Sequence, residues 1–240
     1  MNVGRLMTTW MSVVLLLVSA GAATGQSPAG QTPARQAAAG QAAADTGTLR
    51  IYLARHGQTD GNAQNIAQGF TDTPLNATGK QQAAQLAATL KGVQLDAIYS
   101  STLSRSRETA QTVAAGRPVT SLPDLREMNL GRFENRPIGD PEMRKRRGGP
   151  EAPEDGESGQ QFYERVSGAI RGILDRHKSG TILIVGHGGA NLQILRTLLS
   201  TEPGTRMGTQ SNDELYLIER SAGATPRVFK YFPMDKLGEL

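Results

Sequence analysis

Two histidines stand in the same setting. His56 follows the apolar run 49–54 and lies between Arg55 and Gly57; His187 follows the apolar run 181–185 and lies between Gly186 and Gly188. Each is placed where a buried strand is expected to end. Glycine beside such a position lets backbone approach a ligand closely and leaves N–H groups free for an anion. A lone histidine is more often a satisfied core residue. Two in equivalent positions, one preceded by arginine, point instead to a shared anionic ligand. The third histidine, His177, sits between Arg176 and Lys178 late in an amphipathic segment and reads as a solvated helix end.

The elements that must hold these residues are legible from patterning. A strand is expected over 49–54. Thr78 with Gln81 reads as a capping box, followed by Ala83, Leu86, Ala87 and Leu90 at helical spacing and by Gly92 as a stop. A short buried strand over 97–100, a helix over 103–115 and a strand over 118–121 come next. Ser158 with Gln161 opens a second helix, whose inner face is Phe162, Val166, Ala169, Ile170, Ile173 and Leu174. The nearly continuous apolar run 181–185 suits a central parallel strand, and a helix runs on through Leu199. Two more strands, 215–219 and 227–232, are joined by a turn containing Gly and Pro. Strands alternating with helices predict an α/β fold, a three-layer sandwich with a mostly parallel central sheet flanked by helices. Ligands of such sheets bind beyond the carboxyl ends of strands, so His56 and His187 should face one crevice.

At this point a family resemblance appears. Arg55-His56-Gly57-Gln58-Thr59, with Asn62 and Gln68-Gly69 beyond it, resembles the signature of the histidine phosphatase superfamily, which includes phosphoglycerate mutases and many phosphatases. Three further segments continue it in order: 100–105 ending in Arg105, followed by Glu108-Thr109-Ala110; Leu125-Arg126-Glu127; and 185–189 around His187. One such motif is weak evidence, whereas four in order are strong. The resemblance implies a phosphoglycerate mutase-like fold with His56 as nucleophile, Arg55 and Arg105 as phosphate-binding arginines, Glu127 as proton donor and His187 as the second histidine. Gly57, Asn62, Gln68, Gly69 and Gly188 join the expected phosphate and substrate contacts, although Asn62, Gln68 and Gly69 could equally cap turns.

The chemistry of phosphoryl transfer agrees with that assignment. Negative charge is spread over the equatorial oxygens, so a site needs fixed cations and N–H donors. Two arginines can grip those oxygens with planar forks that lysine cannot reproduce. His187, if protonated, adds a third positive donor. Neutral His56 can attack phosphorus and divide one hard displacement into two. The leaving oxygen then takes a proton from Glu127, which next serves as base toward water. Asp124 and Glu134 lie near enough in sequence to compete for that role.

Departures narrow the resemblance. Gln58 replaces a glutamate common among relatives, which can alter how His56 is oriented. Gly188, where the phytase and acid phosphatase branch has aspartate, argues against that branch. The stretch from Glu127 to His187 is short for the substrate-closing insertion of the mutases. It holds the basic run Met143-Arg144-Lys145-Arg146-Arg147 before Gly148-Gly149-Pro150, either a solvated loop or a lid for extra substrate charge.

The N-terminus reads as an address. Arg5, an apolar stretch over 6–18 and the small residues 19–25 predict a secretory signal over 1–25, cleaved near Gly25. The apolar stretch is shorter than the ~20 residues that span a bilayer, so no stable membrane association is expected after cleavage. Residues 26–47, rich in Ala, Gln, Gly and Pro, predict a disordered spacer, and 48–240 the catalytic domain. The absence of cysteine excludes disulfides and thiolate metal sites. The formal charge of +4 suits an anionic substrate, and without a basic arm or aromatic–basic interleaving no nucleic-acid partner is expected. The expected partner is a small phosphomonoester, with no metal and no cofactor, and the expected product is free phosphate released outside the cytoplasm. A mutase-like phosphotransferase and a non-catalytic phospho-ligand binder on the same fold are the competing readings. A protein phosphohistidine phosphatase fits export poorly.

Overall fold

The computed structural model describes residues 47–146, 151–201, 208–231 and 237–239. The expected leader, 1–25, and all but the last residue of the expected spacer, 26–47, lie outside them. Along the chain run β1 (Leu49–Arg55), α1 (Asp60–Ala63), α2 (Ala77–Thr89), β2 (Ala97–Ser101), α3 (Ser104–Ala114) and β3 (Thr120–Leu122). Then come α4 (Pro141–Arg146), α5 (Gly159–Arg176), β4 (Gly180–Gly186), α6 (Gly188–Leu199), β5 (Leu215–Arg220), β6 (Arg227–Tyr231) and β7 (Leu237–Glu239).

Alternation in the two central strands decides the layering. In β1, Leu49, Ile51 and Leu53 turn to one face, Tyr52 and Ala54 to the other; in β4, Ile182 and Ile184 oppose Leu183 and Val185. Neither strand has a polar face, as parallel strands covered on both sides require. Phe162, Val166, Ile170 and Ile173 of α5 and Ile194 and Leu198 of α6 pack on the first face. Leu86 of α2 and Ala110 and Val113 of α3 pack on the second. The three-layer α/β sandwich expected from patterning is the fold observed. The sheet order is β3-β2-β4-β1-β5-β6-β7. Pairing is parallel from β3 to β1 and antiparallel from β1 to β7.

One feature of register matters most for function. β1 lies beside β4 with Arg55 opposite Gly186, so the next residues, His56 and His187, leave neighbouring strand ends together. The His56 N–H still donates to the Gly186 carbonyl at 3.0 Å, extending the ladder one step into the crevice.

Local differences from expectation have identifiable causes. The Ser158–Gln161 capping box is present, but α2 is capped by Asn76, whose side chain accepts from the Gly79 N–H, and Thr78 lies inside the helix. Asn76 wins because it is tied to the loop after His56: its N–H donates to the Gln58 carbonyl and its side-chain amide to Gln58 Oε1, each at 3.1 Å. The strand expected over 118–121 is shifted to Thr120–Leu122, since Pro118 has no N–H for the ladder. Two short helices, α1 and α4, and the final strand β7 were not anticipated. In α4 the Asp140 carboxylate accepts from the N–H groups of Glu142 and Met143, and Met143 is buried. The basic run up to Arg146 is therefore in a docked helix with Arg144 and Lys145 exposed, while 147–150 lie outside the described residues. His177 is likewise not simply solvated: it is half-buried, and its Nε2 lies 2.8 Å from the Tyr99 hydroxyl.

Candidate active site

A cavity of about 240 Å³ opens at the ends of β1 and β4, and Arg55, His56, Asn62, Gln68, Gly69, Arg105, Glu127, Gly188 and Gly189 all contribute to its lining. His56 is almost completely buried, and its Nδ1 lies 2.7 Å from the Gly57 carbonyl. A carbonyl can only accept, so Nδ1 carries the proton and Nε2 keeps a free lone pair. Burial, then the charges of Arg105 and Arg55, hold the His56 pKa well below the usual 6.5 despite the Gly57 carbonyl. The imidazole is neutral at physiological pH.

Gly57, expected among the phosphate contacts, is not among the residues that line the cavity. Its N–H donates to Thr109 Oγ1 at 3.1 Å, and its carbonyl is taken by His56. It is glycine because a Cβ would run into the backbone of Gly79, where α2 crosses the loop. Gln58 is turned the same way, its side chain on Asn76, so it acts on α2 rather than directly on the His56 ring.

The two arginines are held by backbone carbonyls. Arg105, almost fully buried, donates from Nη1 to the Thr71 carbonyl at 2.8 Å and from Nη2 to the Gly69 carbonyl at 2.9 Å. Desolvation lowers its pKa to about 10, which leaves it cationic at neutral pH. The receiving loop is tied in turn by Glu134, which accepts from the N–H groups of Phe70 and Thr71 and the Thr71 hydroxyl. Arg55 donates to the Gln210 carbonyl at 2.9 Å. The Gln210 amide is fixed by the carbonyls of Leu53 and Glu214 and by the amide of Asn191. Sequence reasoning missed this 208–214 loop entirely, for it carries no motif and only the folded chain brings it to the end of β1.

Glu127 lines the cavity, with one carboxylate oxygen 2.8 Å from the Gly189 N–H at the start of α6 and the other 2.8 Å from the Met128 N–H. Gly189 permits this approach: a Cβ there would meet the carboxylate. Of its sequence neighbours, Glu134 is committed to the 70–71 loop and Asp124 is exposed in a turn. The loop bearing Glu127 is clamped by Arg165, which donates to the carbonyls of Asp124 (2.9 Å), Arg126 (3.2 Å) and Glu127 (3.2 Å) and pairs with Glu157. Arg165 was not among the expected site residues, because its function depends on contacts some 40 positions away.

His187 lies just beneath the cavity rather than on its lining. It is fully buried, its ring centroid 4.9 Å from that of His56, with Nε2 2.7 Å from Ser101 Oγ and Nδ1 without a protein partner. Burial first, then Arg105, His56, Arg55 and Arg165, push its pKa well below 6.5. The free site therefore favours neutral His187, so the condition for a third positive donor is not met there. Asn62 combines two roles: it completes a capping box with Thr59 and lines the cavity. Gln68 is anchored by the Thr59 hydroxyl at 2.8 Å, and Gly69, at φ +52°, presents its carbonyl to Arg105. Gly188 passes beside the Arg55 guanidinium. Among the described residues, no other lysine or arginine lines the cavity.

Comparison with known proteins agrees with this geometry. A family model described as the histidine phosphatase superfamily (branch 1) matches residues 51–228. The phosphoglycerate mutase-like protein 4 of Arabidopsis thaliana is 33% identical over 206 residues, covering 80% of this chain and 84% of that protein. The solved structure of Bacillus stearothermophilus YhfR superposes with a TM-score of 0.65 at 32% identity, over 74% of this chain and 94% of that one. That of an Entamoeba histolytica phosphoserine phosphatase in complex with phosphoserine gives 0.63 at 27% identity, over 75% and 94%. With the matched segment enclosing every cavity residue from Arg55 to Thr209, the chain belongs to the histidine phosphatase superfamily, among its phosphatase and mutase-like members.

Proposed function

We propose that this chain is a phosphomonoesterase that works through a phosphohistidine on His56, needs no metal ion and acts outside the cytoplasm. The observation that carries the reading is the convergence of one neutral histidine, two fixed guanidinium groups and one carboxyl group on a single small cavity. Nε2 of His56 attacks phosphorus; the N–P bond forms as the ester O–P bond breaks, and the leaving oxygen takes the proton of the Glu127 carboxylic acid. Water then attacks phosphorus and gives a proton to Glu127, and the N–P electrons return to Nε2. Arg55 and Arg105 neutralise the equatorial oxygens throughout, as positioning and electrostatics must in this reaction. The buried, unpartnered Nδ1 of His187 is suited to donate to one of them.

A phosphotransferase reading is kept by the mutase-like name of the Arabidopsis relative. It differs only in the acceptor, an alcohol in place of water. Export rests on the leader pattern of residues 1–25. The test is phosphate release from 4-nitrophenyl phosphate with EDTA present, beside His56→Ala. Release that survives EDTA and falls at least about 10⁴-fold in the variant supports the reading. Activity retained by His56→Ala overturns it, and transfer to an added alcohol in preference to water selects the transferase.

A further inference from the structure

The lining of the cavity divides into two chemical sets. Arg55, His56, Arg105 and Gly188, with the polar Asn62, Gln68, Glu127 and Thr209 beside them, are matched to a phosphoryl group and its transfer; Ile66, Ala67, Met128, Leu130 and Ile138 form an apolar wall. That wall is built rather than incidental. Ile66 bridges Pro137, the Ala67 N–H donates to the Arg136 carbonyl, and the Ile138 N–H donates to the Asn65 carbonyl, so backbone bonds lock the two strips together. Ala67, Met128 and Leu130 are buried, whereas Ile138 is 39% exposed, the one large exposed hydrophobic side chain among the described residues. Ile138 thus extends the buried apolar strip to the mouth of the cavity, where the alcohol part of a substrate would lie against it.

Charge points the same way. The neighbouring cations are occupied elsewhere: Arg126 stacks on Phe70, with its guanidinium 4.0 Å from the ring centre, and Arg136 pairs with Asp140 and Glu142. Arg144 and Lys145 stand exposed on α4 and do not line the cavity. Beyond Arg55 and Arg105, which the phosphoryl group engages, a second anionic group would meet the apolar wall, the Asn62 and Gln68 amides and the Glu127 carboxylate, with no further lysine or arginine among the described lining residues. An unpaired charge in such surroundings is strongly disfavoured.

We infer that the substrates are phosphomonoesters of uncharged, largely apolar alcohols or phenols small enough for a cavity of about 240 Å³. The inference rests on the phosphatase reading and adds the class of the alcohol. It is tested with phenyl phosphate and 4-carboxyphenyl phosphate, on the parent protein and on Ile138→Arg. The carboxylate ester has the better leaving group, so chemistry alone favours it. The expected result is a kcat/KM at least about tenfold higher for phenyl phosphate, carried mainly by KM, with the preference reduced or reversed in Ile138→Arg. His56-dependent hydrolysis of both esters with no preference, or with a preference for the carboxylate, overturns the inference and leaves the phosphatase standing. Failure to hydrolyse either ester overturns the phosphatase reading and this inference with it.

Discussion

At the strand ends the site is made of residues adjacent in sequence to the elements that hold them: Arg55 and His56 close β1, and His187, beneath the cavity, and Gly188 join β4 to α6. The rest of the lining is made differently, from segments 66–69, 127–138 and 208–212, which meet only after folding and are pinned by side chains such as Glu134, Arg165 and Gln210. The first region rests on sheet register and has little freedom to move without disturbing the core. The second depends on a few polar anchors. On the proposed mechanism, reactivity is set where the chain is most constrained, and leaving-group handling and substrate choice where it can vary.

The largest effect separating the two regions is expected at Glu127. Glu127→Gln should leave phosphate binding intact but slow hydrolysis of an alkyl phosphate by about 10²–10⁴-fold, and release of 4-nitrophenol in the first step far less. Equal losses on both substrates, measured in single turnover, would remove Glu127 as the donor.

A smaller effect of the same kind is expected one layer back. Arg165→Met frees the carbonyls of Asp124, Arg126 and Glu127 and should lower kcat on alkyl phosphates by roughly tenfold, with Arg165→Lys recovering part. The loss should follow leaving-group basicity as in Glu127→Gln. A loss independent of the leaving group would mean that Arg165 only supports the fold.

The smallest effect concerns stability. His56 and His187 are held neutral in the folded protein, whereas in the unfolded chain each binds a proton near pH 6.5. The unfolded state therefore binds more protons below that pH, and stability should decline as the pH falls below about 6.5, by up to about 1.4 kcal/mol per histidine per pH unit. Above pH 6.5 these two groups contribute no slope. Urea unfolding at several pH values should show the decline weakened in His56→Asn, and an unchanged slope in that variant would contradict the buried neutral state.

The same contrast explains what could be read without coordinates. Strands β1 and β4, the Ser158 cap of α5 and the four motifs around Arg55, Arg105, Glu127 and His187 are local signals, and apolar runs, caps and glycines carry them. The meeting of His56 and His187 at one crevice followed from the strand-end rule, and the places of Arg105 and Glu127 from the family resemblance. What escaped reading is non-local. Asn76 caps α2 in place of Thr78 because Gln58 reaches it from the preceding loop. Gly57 is required by the crossing with Gly79, and α4 exists because Met143 finds a place in the core. Gln210 and Arg165 hold the site through backbone carbonyls, an interaction that leaves no mark on residue spacing.

The central claim is the covalent bond at His56, and trapping tests it most directly. Glu127→Gln mixed with 4-nitrophenyl phosphate keeps a good leaving group but lacks the base for the second step, so a burst of nitrophenol should precede slow turnover. Alkaline quenching followed by peptide mass spectrometry should find one phosphoryl group on His56. A burst with the label on another residue, or turnover without any phosphorylated protein, would contradict the account.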